Sequence, residues 1–181
     1  MKLFNIKSLF CWKSINKEVD MLPIFLFVIA LIYAIVKIFQ DKVTTKKEQL
    51  AILLKSIIFF NIGCMGLIGF YAHTFMPDET ARNIGWPTGN PFQFEVAVAN
   101  LAFGILGVLS PWFPSLFWVP TVLGSVVFLF GCAWGHFVQW GKGDVAPYNA
   151  GPFVWFGDGV IPLIYGFLML YYYNRWGKED V

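Results

Sequence analysis

Two imidazoles and two carboxylates stand where ionisable groups are costly: His73, Glu95, His136 and Asp158 each lie within a long apolar stretch. Titratable side chains inside such stretches are expensive and mark ion paths, proton relays or ligand sites. This set has three chemistries open to it. Histidine titrates near neutral pH, so the group could pass or store protons. Two imidazoles with one or two carboxylates suit a divalent metal such as Zn²⁺ or Fe²⁺, making His73, Glu95, His136 and Asp158 candidate ligands. The same four residues could instead pair as a polar lock, each charge compensating another. Polar neighbours enlarge the set. Gln139 follows His136 by one helical turn and shares its face, while Glu79 and Asn149, with Gln93 and Asn100, stand at its border.

The elements that must hold these residues follow from composition and pattern. Of 181 residues, 57% are hydrophobic, 19% aromatic and only 13% charged, with a mean hydropathy of +0.63. That is half the charge of an ordinary soluble domain, which excludes a soluble globule and a disordered chain. Three scattered cysteines exclude a disulfide scaffold, and a net charge of +2 leaves no nucleic-acid footprint. Five stretches are long enough to cross a bilayer as helices: 21–39, 50–75, 92–109, 115–140 and 153–173. None alternates with the period of two that a barrel strand requires. The expectation is an all-α integral membrane bundle of five transmembrane helices, over residues 21–175. Residues 1–20, with Lys2, Lys7, Lys13 and Lys17 among Phe4, Ile6, Leu9, Phe10 and Trp12, read as a basic amphipathic segment on the bilayer surface. No small-residue cleavage site follows the first apolar run, which favours an uncleaved span over a signal peptide.

Local signals shape the connections. Pro77-Asp78-Glu79 opens a short helix, with proline in the first turn and acids at the positive end of the dipole, and Gly85 and Trp86-Pro87 close it. Asn90, Pro91 and Gln93 then read as N-cap, N1 and N3 of the third span. Residues 75–91 are therefore expected to form an interfacial elbow carrying its own short helix. Gly63, Gly66 and Gly69, Gly104 and Gly107, and Gly131 and Gly135 mark faces where helices could approach closely. Trp86, Trp112, Trp140, Trp155 and Trp176 fall near span ends, as interfacial tryptophans do.

Alternating helix direction places His73, Glu95, His136 and Asp158 toward one membrane face. A rise of 1.5 Å per residue puts Lys55 about 27 Å from His73, at the opposite leaflet. That leaflet offers Asn61 and Ser125 as the polar groups of any through-path. Counting basic residues by side gives no orientation while the N-terminal segment is included. Without it, Arg82 and Lys142 stand against Lys37, Lys42, Lys46, Lys47, Lys55, Arg175 and Lys178, which places the elbow outside. No Walker A, GxSxG, HExxH or CxxC motif occurs. Only two histidines are present, which excludes the histidine-rich membrane hydroxylases but leaves a single bis-histidine haem open.

The segments His73-Thr74-Phe75, Pro77-Asp78-Glu79, Ile84-Gly85-Trp86-Pro87, Pro91-Phe92-Gln93-Phe94-Glu95 and Asn100-Leu101 resemble a family of small bacterial and archaeal multi-pass membrane proteins. So do Gly135-His136, Gln139, Ala146-Pro147, Asn149-Ala150-Gly151, Asp158 and Ile161-Pro162. That family is classed only as a domain of unknown function, and the resemblance runs over about residues 50–173. It implies a shared architecture in a prokaryotic cytoplasmic membrane and supplies no activity. The residues point to a binding or transport module in which the cluster handles protons, a cation or a small polar ligand. A structural or accessory subunit, alone, as a homo-oligomer or with a partner membrane subunit, and a metal- or haem-dependent enzyme are the alternatives.

Overall fold

A computed structural model describes residues 21–177, and among these every regular element is a helix. In chain order they are α1 (Leu22–Gln40), α2 (Lys46–Phe75), α3 (Pro77–Ile84), α4 (Phe92–Leu109), α5 (Ser115–Gly141), α6 (Pro147–Ala150) and α7 (Phe153–Trp176). Helices α1, α2, α4, α5 and α7 are long and apolar enough to cross a membrane. The five expected spans and the elbow helix are all present. The basic segment expected over residues 1–20 lies outside the described residues.

Capping chemistry sets the boundaries. Helix α2 starts earlier than its apolar run because Thr45 Oγ1 accepts the Glu48 N–H at 3.3 Å, the arrangement of a Thr-x-x-Glu cap. Helix α3 has Pro77 in its first turn and ends at Gly85, whose φ of +80° is left-handed; the Trp86 N–H then returns to the Ala81 carbonyl at 2.8 Å. Asn90 Oδ1 accepts the Phe92 N–H at 3.0 Å and so caps α4. Gln93 departs from its expected capping role. Its Nε2 donates to the Pro77 carbonyl at 2.7 Å, tying the start of α4 to the start of the elbow helix.

Helices α2 and α4 meet along a glycine seam. A Cβ on Gly66 would stand 2.6 Å from the Gly104 nitrogen, and one on Gly107 would strike the backbone of Gly63. Only hydrogens fit there, so the backbones gain dispersion contact that lipid would otherwise provide. In the half of the bundle farther from the elbow, Leu54, Ile57 and Ile58 of α2 pack with Trp118 and Val122 of α5 and Met169 and Tyr172 of α7. The outer surface inverts the pattern of a water-soluble protein. Phe25, Ile32, Leu123, Val127, Phe167 and Leu170 face outward, while Asn61, Ser125, Asn149 and Asp158 are buried. Lipid tolerates the first group and penalises the second.

Besides the 3-10 turn Ser110–Trp112 that follows α4, two stretches depart from α-geometry. Residues Ile58–Cys64 within α2 and Phe153–Val160 at the start of α7 are π-helical. Each carries a buried polar side chain, Asn61 in the first and Asp158 in the second. Such widened turns concentrate at functional sites.

Candidate functional site

Helices α2, α4, α5 and α7 line a half-open cavity of about 600 Å³ in the half of the bundle nearer the elbow. Its walls are mostly apolar, and its polar groups come from distinct elements. Asp158 projects from the π-helical start of α7 and is only 5% exposed. His136 projects from α5, with its Nε2 3.9 Å from Asp158 Oδ2. The other ring nitrogen is held by the short helix α6, since His136 Nδ1 lies 2.6 Å from Asn149 Oδ1. An amide oxygen only accepts, so the shared proton belongs to Nδ1. This fixes the ring, and in its neutral form Nε2 presents a lone pair toward Asp158.

Gln139 and His73 line the same cavity. Gln139 Oε1 and His73 Nδ1 are buried without a hydrogen-bond partner, and the His73 ring lies 6.4 Å from that of Trp86 of the elbow. Deeper in, Asn61 Nδ2 donates to the Pro23 carbonyl at 3.0 Å, which anchors the first turn of α1 to α2. Gly157 makes room for that turn, because a Cβ there would lie 2.9 Å from Pro23 Cγ. Ser125 and Tyr165 pair through their hydroxyls at 2.8 Å. Asn61 and Ser125, expected to belong to the opposite leaflet, thus line the same cavity as His136. From Ser125 to His136 the rise of α5 is about 16 Å, which gives the cavity its depth.

The four-residue cluster read from the sequence is only partly assembled. His73, His136 and Asp158 line one cavity, but Glu95 does not. Glu95 shares an exposed stripe of α4 with Val98, Ala102, Ile105 and Leu109, whereas the buried stripe runs through Gln93, Ala97, Gly104 and Gly107. Its depth is as expected and its azimuth is wrong. Glu79 is half-buried on α3 and also lies outside the cavity lining. Among the described residues, no three His, Cys, Asp or Glu side chains converge to hold a metal ion. The donor set of His73, Glu95, His136 and Asp158 is therefore not brought together.

Gly131 and Gly135 of α5 do not behave as a helix-packing motif. Both line the cavity, and a Cβ on either would have no atom within 4 Å. Their spacing matches that of the packing glycines in α2 and α4, but both are exposed on the cavity wall, with no helix packed against them. The sequence signal that separates the two cases is the company they keep: Cys132, His136 and Gln139 occupy the same side of α5.

A family model described as a family of unknown function, DUF6790, matches residues 20–178. The match includes α1, which the motif resemblance over 50–173 left out. No curated protein and no solved structure matches the chain.

Proposed function

We propose, for a chain that belongs to the DUF6790 family, that its bundle is a binding module for a small molecule held within the membrane, with Asp158 and His136 as its polar recognition point. The observation that carries this reading is the cavity itself. Its volume of about 600 Å³ falls in the ordinary range for small-ligand sites, about 300–1,000 Å³. It combines a mostly apolar wall with a few convergent polar groups, as such sites do. The packed residues beneath it, Leu54, Ile58, Trp118, Val122 and Met169, favour binding over conduction, because a pore needs a continuous polar path. The basic residues on the side away from the elbow support an orientation with the cavity end facing outward.

Mass spectrometry of small molecules retained after purification tests this reading. Wild type is expected to carry a low-mass species that Gly135→Leu, which fills the cavity from an open wall, has lost. Identical retained species in both proteins would overturn it.

One observation favours a second reading, the polar lock. The hydrogen bond from His136 to Asn149 joins α5 to the α6 turn, and Asp158 adds α7. A lock of this kind stabilises the bundle without any ligand and predicts no retained species.

A further inference from the structure

Taking the cavity to be a ligand site, as proposed above, we infer that it selects an organic cation, an ammonium group carried on an apolar or aromatic body. The inference rests on which charges and which unpaired atoms face the cavity. Asp158 is the one carboxylate among its lining residues, and no lysine or arginine is among them. His73, His136, Cys132, Tyr148 and Tyr165 are the other titratable groups facing it. The buried side-chain oxygens without partners in the lining are Asn61 Oδ1 and Gln139 Oε1, both acceptors. Asn61 is 7% exposed, and its Nδ2 is already committed to Pro23, so its oxygen is the part left to a ligand. A buried unpaired donor does exist on Asn149, but that residue borders a separate groove on the outer side of α5 and α7. The cavity therefore offers two unpaired oxygen acceptors and one acid beside two imidazoles, of which His73 has an unpartnered Nδ1, and an anion would find no lysine or arginine to bind.

The apolar wall fits the same class. Trp86, Phe103, Phe128, Tyr148 and Phe153 line it, and aromatic faces attract cations most strongly where water is excluded. The open wall at Gly131 and Gly135 gives the body of the ligand room beside Asp158. A carboxyl that ionises against a bound ammonium discriminates by charge as well as by shape, because a second carboxylate opposite it is strongly disfavoured.

Three probes of nearly equal size separate the possibilities: phenylbutylammonium, phenylbutanol and phenylbutyrate. Each is titrated calorimetrically into the full chain in nanodiscs of uncharged lipid, with Gly135→Leu and Asp158→Asn alongside. The cation is expected to bind about tenfold or more tightly than the alcohol, with the carboxylate weakest. Gly135→Leu should abolish binding, and Asp158→Asn should bring the cation down to the level of the alcohol. Equal binding of cation and alcohol to wild type, both lost in Gly135→Leu, would overturn the charge selectivity and leave the cavity reading standing. Binding unaffected by Gly135→Leu, or no binding of any probe, would overturn both. The comparison among probes in wild type stands even if Asp158→Asn does not fold.

Discussion

Asp158 and His136 face each other across 3.9 Å between α7 and α5, too far for a direct hydrogen bond and close enough for one ligand group to reach both. The imidazole is held from behind by Asn149, so with its proton on Nδ1 the pair is two acceptors positioned across a gap.

That arrangement makes Asn149 a positioning residue. His136→Ala leaves a buried amide oxygen without its donor and should cost about 1–3 kcal/mol of stability. Asn149→Ala should cost a similar amount, and the double variant less than the sum, because both singles break one bond. Unfolding in detergent, followed by circular dichroism, measures this. Strict additivity would remove the bond from the account.

Carboxylates at equal depth should differ in effect. Glu95→Gln alters the exposed stripe of α4 and should leave phenylbutylammonium affinity unchanged. Asp158→Asn, inside the cavity, should lower it about tenfold, a change of about 1.4 kcal/mol. Equal losses in both would mean that the two carboxylates act together after all.

The glycines divide into two classes with opposite responses to alanine. Gly107→Ala drives a methyl group into the backbone of Gly63 and should cost about 1–3 kcal/mol, as overpacking does. Gly135→Ala meets open space and should be neutral or stabilising by up to about 1 kcal/mol, through helix propensity. The same unfolding assay ranks them. Destabilisation by Gly135→Ala comparable to that of Gly107→Ala would contradict the open wall.

Metal binding provides another check. His136 and Asp158 lack a third convergent ligand among the described residues, and two ligands do not make a structural or catalytic zinc site. Protein purified without a histidine tag should contain only substoichiometric zinc and iron by plasma mass spectrometry. One equivalent of either metal, lost in His136→Ala, would require a different arrangement of the site.

Much of the architecture could be read from the sequence because it depends on local physics. The bilayer fixes span length, and Pro77, Gly85 and Asn90 fix chain direction through backbone chemistry that needs no tertiary context. The cluster was harder. Depth along a helix follows from residue number, so His73, His136 and Asp158 fell at the expected end of the bundle. Azimuth requires knowing which stripe faces inward, and for α4 that information was present: Gln93, Ala97, Asn100, Gly104 and Gly107 form a run of small and polar residues that excludes Glu95. The π-helical stretches were not legible, because a widened turn is a compromise with neighbouring helices and leaves no residue signature. They carry Asn61 and Asp158, and their geometry contributes to where those side chains lie. Gly131 and Gly135 share the spacing of packing glycines, so spacing alone does not separate a contact from an opening; the polar company of His136 and Gln139 does.

The central claim is that a small molecule binds beside Asp158 inside the bundle. A structure of the protein soaked with phenylbutylammonium brominated on its ring tests it most directly, since bromine is located by its anomalous signal. The account predicts bromine inside the cavity, against the wall formed by Gly131 and Gly135, with the ammonium nitrogen in hydrogen-bond reach of the Asp158 carboxylate. Bromine found only on the lipid-facing surface, at a probe concentration that saturates binding, would contradict it.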